Sequence, residues 1–531
     1  MRFGIACLAA SAAIIAATWA WLGQPIAMPN APLGAGEKLW CVSYAPFRGQ
    51  QTPFNPSLNV PAAQIEEDLT RLAALTDCIR IYAVNQGLDQ VAPIAARLGL
   101  KVLQGAWLST DSVRNKAEIE TAVALANRYP DTIRAVVVGN EVLLRGEMTA
   151  TDLAANIRAV KAQVKVPVTY ADVWEFWLRN RDVAAAADFI TIHILPYWED
   201  FPIPAKHAAP HVDQIRREMV AAFAGKEVIV GEVGWPSAGR MREGALPSPA
   251  NQARVIQDVL ALAKRDGAKV NVIEAFDQPW KRALEGTVGG HWGLFEDSRS
   301  AKFGWGEAVS NHPLWIWQAA GGIAFTVLVF GAAFRARGQR DVPVSAWLAV
   351  AGSALAGGLL LGMTVARLPV ESLGPGGWLR SLAFLMVAVL SPLAVSAAVM
   401  RGLPLPRFSR LLGPAAERSR DPLVWLVGSV MIFTLLLALV VALSLVFDPR
   451  YRDFPFAPLT AAVVPFVLHS LTMPRPAGGR GAAELGGAAL LALTVPYIVL
   501  NETLANWQSL WVCAGLLALA FSLAQVRDVR S

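Results

Sequence analysis

Two glutamates in this sequence each close a short β-branched run: Glu141 ends RAVVVGNE, and Glu232 ends EVIVGE before the chain continues into VGWPS. Glycine precedes each, directly at Glu232 and across Asn140 at Glu141. Two carboxyl groups held about 5 Å apart can open an acetal by double displacement. One protonates the departing oxygen while the other attacks the acetal carbon, so both must face one cleft.

The elements carrying them predict that they do. Eight β-branched runs begin at residues 39 (LWCVSYA), 78 (CIRIYAV), 101 (KVLQGAW), 134, 166 (VPVTYAD), 188 (DFITIHI), 227 and 270 (VNVIEAF). Between them, AAQIEEDLTRLAAL, KAEIETAVALANRY and ANQARVIQDVLALAKR carry apolar residues at helical spacing. Strands alternating with helices imply a parallel sheet, and eight repeats in this length predict an α/β fold of the closed (β/α)₈ (TIM) barrel type. Active residues of such barrels lie at the C-terminal strand ends. Here those ends carry Tyr44, Arg80, Tyr82, Trp107, Glu141, Asp172, His193, Glu232 and Glu274. Glu141 and Glu232, closing strands four and seven, are thereby expected at one barrel mouth as acid/base and nucleophile.

YAPF at Tyr44, RIYA at Arg80, VVVGNEVL, HILPYWE at His193, VGEVGWPS and EAFDQPWK at Glu274 resemble family 17 of the glycoside hydrolases, the retaining β-1,3-glucanases and glucanosyltransferases. The resemblance covers nearly all of residues 38–305. It implies Glu141 as proton donor and Glu232 as nucleophile, with Lys281 and Glu285 at polar positions lining the cleft. Gln278 departs from it: many members carry an acid there, which puts a third carboxylate in doubt. Tyr44, Tyr82, Tyr197, Trp198, Phe276 and Trp280 are suited to stacking on sugar rings. With Arg80, Asn140, His193, Glu274, Lys281 and Glu285 they make up the expected substrate-binding set, Arg80 chiefly by pairing with a barrel carboxylate. The chemistry calls for no metal and no cofactor.

Outside the barrel the chain changes character. The 531 residues have a mean hydropathy of +0.40, too apolar for a wholly soluble protein. The excess lies in residues 1–25, read as a signal anchor or a signal peptide, and in seven apolar spans between 314 and 525, followed by a tail at 526–531. Residues 33–312 form the expected catalytic domain. From Leu314 onward there are sixteen Arg, no Lys and nine acidic residues. The basic balance (net +6 for the chain) therefore belongs to the apolar half, and a nucleic-acid partner is excluded. If residues 23–313 face outward, alternate loops hold twelve Arg, among them Arg335, Arg401, Arg475 and Arg530, against four on the other side. That bias is what the positive-inside rule predicts for a multi-pass membrane protein whose barrel is exported. His469 and Glu484, toward span ends, are expected in interfacial or helix-packing roles, and Cys41 and Cys78, on neighbouring strands, as buried free thiols, with a disulfide the alternative in an oxidising compartment.

The layout resembles bacterial membrane proteins described as β-(1→6)-glucan synthases, which implies an inner-membrane protein with its barrel in the periplasm. No Asp-x-Asp motif or large cytosolic segment suits a nucleotide sugar, so transglycosylation is the expected chemistry: remodelling or branching of β-1,3-glucan, with membrane lipid and a glucan synthase or export complex as further partners. Simple hydrolysis and a non-catalytic glucan-binding scaffold are the alternatives.

Overall fold

The computed structural model describes residues 1–414, 418–474 and 476–528; Arg475 and Arg530 lie outside them. The chain divides into two compact units, Ile26–Val309, and Met1–Pro25 with Ser310–Ser531.

The first unit is a closed barrel of eight parallel strands in chain order. They are β1 (Cys41–Ser43), β2 (Cys78–Ile81), β3 (Lys101–Ala106), β4 (Ile133–Asn140), β5 (Val168–Val173), β6 (Ile190–His193), β7 (Val228–Val233) and β8 (Val270–Val272). Closure comes from β1 pairing with β8, Cys41 opposite Asn271. Each expected strand is present, and the helices between run over Ala62–Leu72, Ser112–Arg128 and Pro249–Asp266 among others.

Side chains alternate across a strand, and the alternation splits the core in two. Val42, Ile79, Val102, Val136, Ile192 and Val230 face outward into the main cluster with the helices. Cys41, Cys78, Leu103, Ala135, Val137, Ala171 and Ile229 fill the barrel interior. The helices start and stop on local signals. Asp111 accepts from the Val113 and Arg114 N–H groups to cap Ser112–Arg128. Ser248 caps Pro249–Asp266, which ends on Gly267 at φ 63°.

Cys41 and Cys78 are not free thiols but a disulfide. Val42 sits opposite Ile79 on paired strands, which sets the preceding two cysteines side by side inside the barrel with Cα atoms 4.3 Å apart, within bridging reach.

The second unit is helical. Arg2–Leu22, Trp315–Arg337, Val344–Glu371, Gly374–Arg401, Pro422–Phe447, Ala482–Glu502 and Trp507–Gln525 are long and apolar enough to cross a membrane; Phe456–Thr472 is a shorter apolar helix. His469 and Glu484 are buried in helix packing. The His469 Nε2–H donates to the Leu403 carbonyl at 2.8 Å. A Glu484 carboxylate oxygen accepts from the Phe408 N–H at 2.6 Å.

Candidate active site

At the C-terminal ends of β4, β6 and β7, one oxygen of Glu141, one of Glu232 and a ring nitrogen of His193 all lie within 4.8 Å of one another. Local backbone features place them. The β4–β5 register shifts between Val137 and Asn140, and the end of β4 turns through two positive-φ residues, Gly139 (84°) and Glu141 (52°). A Cβ at Gly139 would meet Val142 Cγ2 at 2.8 Å, so glycine is required there. On β7, a Cβ at Gly231 would sit 2.4 Å from Thr191 Cγ2, and its carbonyl is used by Arg80.

Arg80 crosses the top of the barrel interior, buried. Its guanidinium pairs with Glu232 at 2.9 Å and donates to the Gly231 carbonyl at 2.7 Å and to the Asn140 side-chain oxygen. The Tyr82 hydroxyl lies 2.9 Å from both Glu232 Oε1 and Ser43 Oγ. A phenol has one proton and a carboxylate only accepts, so Tyr82 donates to Glu232. Burial, reinforced by the Glu232 charge, holds the Tyr82 hydroxyl well above its ordinary pKa, keeping it a donor. Asn271 continues the chain, donating to Ser43 Oγ at 2.8 Å. Glu232 is only 4% exposed, and fixed donors stand where water would.

Glu141 is the more open partner, its side chain 24% exposed. His193 Nδ1 stands 2.9 Å from Glu141 Oε1, and its Nε2 lies 3.3 Å from Arg80 and 3.4 Å from Glu232 Oε1. Burial pushes the Glu141 carboxyl up, but the His193 contact, with Arg145 and Arg80, outweighs it and holds Glu141 below the usual range. A second charged group lies at the end of β8: Glu274 pairs with Lys281 at 2.8 Å. Burial drives Glu274 up to about 7 and raises Glu285, while Lys281 is held above its ordinary value because these carboxylates outweigh its own burial.

Several expected sugar contacts lie elsewhere. Tyr44, Tyr197 and Phe276 are at most 1% exposed, too deep to stack on a ligand. Tyr44 donates to Asp68, Tyr197 donates to the Arg240 carbonyl, and Phe276 is covered by Arg299 and Phe295. Arg80, Asn140, His193 and Glu274 are also buried, Arg80 against Glu232 and Asn140, His193 against Glu141 and Glu274 against Lys281. Tyr82, Trp198, Trp280, Lys281 and Glu285 are half-buried. Trp198 stacks on Trp292. Trp280 meets the edges of Phe47 and the exposed Phe54 and donates to Gln278 Oε1 at 2.8 Å. Gln278 is fully buried and donates to the Ala45 and Phe276 carbonyls. Its amide, donor and acceptor at once, does what a carboxylate could not. The sequence reading missed Ser43, Asn271, Tyr170 and Gln278 as supports; the signal for Tyr170 was its place two residues before Asp172, on the same face of β5.

Residues 41–293 match the model of the BtgE/BtgC glycoside hydrolase domain. A glucan 1,3-β-glucosidase of Candida albicans is 30% identical over 265 residues, 45% of this chain and 84% of that protein. One from Saccharomyces cerevisiae is 28% identical over 262 residues, 45% of this chain and 83% of that protein. The crystal structure of a glycoside hydrolase family 17 β-1,3-glucanosyltransferase from Rhizomucor miehei shares 25% identity at a TM-score of 0.44, covering 50% of this chain and 95% of that one. With a carboxylate pair at the mouth of an eight-stranded barrel and the Candida albicans glucosidase 30% identical over 84% of its own length, the chain belongs to the BtgE/BtgC glycoside hydrolases of family 17.

Proposed function

We propose that the barrel cleaves and re-forms β-1,3-glucosidic bonds by retaining double displacement. The observation that carries this is the Glu141–Glu232 pair, with one oxygen of each within 4.8 Å of the other, which fits the roughly 5 Å spacing of a nucleophile and an acid/base in retaining enzymes better than the wider gap of inverting ones. Glu232, held by Arg80 and Tyr82, attacks the anomeric carbon. The C1–O bond breaks as Glu141 gives its proton to the departing oxygen. The glycosyl ester on Glu232 then yields to water or a sugar hydroxyl, whose proton returns to Glu141. His193 and nearby arginines hold the Glu141 carboxyl below its usual range. A bound sugar covers its remaining exposed surface, disfavours the ionised form and readies it to donate.

The glucan 1,3-β-glucosidase names of the relatives support β-1,3-glucan as the substrate. Transfer to a glucan acceptor, including β-1,6 branching, is the preferred outcome over hydrolysis.

The same proposal assigns residues 33–312 as the catalytic domain, 1–25 as anchor or signal peptide, 314–525 as a membrane-spanning region, and the barrel to the periplasmic side. The apolar helices support it, as do large side chains that stand outward, such as Leu436, Leu493 and Leu500. The arginine bias between loops and the Cys41–Cys78 disulfide point the same way, since such bonds persist in oxidising compartments.

The test incubates the full chain in detergent with reduced laminari-oligosaccharides beside E141Q and E232Q, and analyses products by mass and linkage. Longer or branched products lost in both variants support transglycosylation. Shorter products alone make the protein a hydrolase. Glucan bound but unchanged overturns the enzymatic reading in favour of a scaffold.

A further inference from the structure

We propose that Tyr170 and Asp172 are positioning residues that hold the backbone after Glu141, and so aim its carboxyl at the departing oxygen. This rests on the acid/base role given to Glu141 above. Glu141 occupies left-handed backbone, φ 52°, which a non-glycine residue keeps only where its surroundings over-determine it. The surroundings here are one short stretch of β5. The Glu141 N–H donates to the Ala171 carbonyl at 2.8 Å. The Leu143 N–H donates to the Tyr170 hydroxyl at 3.0 Å, and the Leu144 N–H reaches Asp172 Oδ2 at 3.4 Å. Three of four consecutive amides are thus taken by residues 170–172.

The pair is built to hold still. The Tyr170 hydroxyl donates to Asp172 Oδ2, and Asp172 Oδ1 accepts the Val173 N–H at 2.8 Å. Both side chains are buried, 1% and 0% exposed. The Tyr170 ring packs on Trp177, centroids 5.5 Å apart, and a Cβ at Gly139 would touch it at 3.5 Å. From the other side Arg145 donates to the Asn140 and Leu108 carbonyls. Neither Tyr170 nor Asp172 opens on the cleft, so both act through the loop. The titratable groups facing Asp172 are Tyr170 on its own strand, Glu141 from β4 and His193 from β6; burial, opposed by Tyr170 and His193, pushes Asp172 up to about 6.

A misaimed acid differs measurably from a weakened fold. A substrate whose leaving group departs readily as an anion needs no proton, whereas one with a poor leaving group does. The variant Y170F keeps the ring and deletes the hydroxyl that serves Leu143 and Asp172. Measured on the full chain in detergent with aryl β-laminaribiosides, Y170F is expected to lower kcat/KM about 10–100-fold for a 4-methylphenyl leaving group and by less than about threefold for 2,4-dinitrophenyl. D172N, which loses the charge but keeps one acceptor, should discriminate in the same direction, and it decides the matter if Y170F does not fold. Equal losses on both substrates in the variant that folds, or no loss on either, overturn the positioning role; so does a failure of both variants to fold, which would make the pair purely structural. E141A is the control. If it shows the leaving-group discrimination and the folded β5 variant does not, the positioning inference alone falls. If E141A shows none, or the wild type cleaves neither substrate, the acid/base reading falls first.

Discussion

Gln278 offers the sharpest physical test, because one atom exchange inverts its surroundings. Its amide nitrogen donates to the Ala45 and Phe276 carbonyls at 3.1 and 3.2 Å while its oxygen accepts from Trp280. The side chain is fully buried. Q278E keeps the acceptor for Trp280 but turns an oxygen toward two carbonyls that lose their donor. Two neutral hydrogen bonds are worth about 1 kcal/mol each, and leaving buried acceptors unmet adds to the loss. A buried charge takes up a proton rather than meet its full desolvation cost, so we expect a loss of about 2–4 kcal/mol at pH 8. At about 2–4 °C per kcal/mol for a domain near this size, the barrel transition falls by about 5–15 °C. The introduced carboxyl has its folded pKa raised above the unfolded value, so the folded state binds the extra proton. The deficit therefore grows as pH rises from the unfolded to the folded pKa, and shrinks as pH falls; a protonated acid donates to one carbonyl again. The assay is thermal unfolding of the full chain in detergent, followed by protease susceptibility of the barrel at pH 5 and pH 8, with wild type at each. A variant as stable as wild type at pH 8, or one whose deficit is larger at pH 5, would refute the role given to Gln278.

R80A removes the buried partner of Glu232, a change that costs about 3–5 kcal/mol where a charge is left unpaired; chemical denaturation should show the loss, and an R80A barrel as stable as wild type would contradict the ion pair at 2.9 Å. Replacing Cys41 and Cys78 by serine opens a link spanning 37 residues, and loop entropy puts the cost at about 4 kcal/mol; mass analysis of unreduced protein after thiol alkylation would sink the bridge if both thiols are labelled. Because His193 and nearby arginines hold Glu141 low and a bound sugar would raise it, the alkaline limb of kcat should lie at higher pH than that of kcat/KM, which report the bound and free enzyme respectively; coincident limbs would argue against substrate-driven protonation. For Glu274, pushed up to about 7 by burial, the folded state holds a proton that the unfolded chain releases near 4.3, so its contribution to stability falls as pH rises across that window and is level above it. The difference in stability between wild type and E274Q, measured from pH 4 to 8, should carry that slope, and a flat difference would contradict it.

Much of this was legible in the sequence because it depends on local periodicity. Alternating strand and helix patterns specify a (β/α)₈ barrel without reference to distant contacts, and the barrel in turn brings the ends of β4 and β7 to one mouth. Glu141 and Glu232 were therefore identifiable as neighbours from their strand-terminal positions alone. The apolar helices were likewise visible, since length and composition are local properties.

What only the tertiary structure decided is which side chains the closed barrel covers. A period of two states the face of a strand, not what folds over its end. Tyr44, Tyr197 and Phe276 read as cleft aromatics, yet Arg299, 231 residues from its partner Asp68, closes over Phe276 and holds the end of Tyr44 out of reach. Cys41 and Cys78 became a disulfide through register between β1 and β2, which single-chain patterning leaves free. The support under Glu141 is of the same kind: Tyr170 and Asp172 acquire their roles only because the loop after β4 lays its amides across β5. Sequence periodicity sets which residues reach the mouth; burial and long-range hydrogen bonding decide which of them meet a substrate and which hold the others in place.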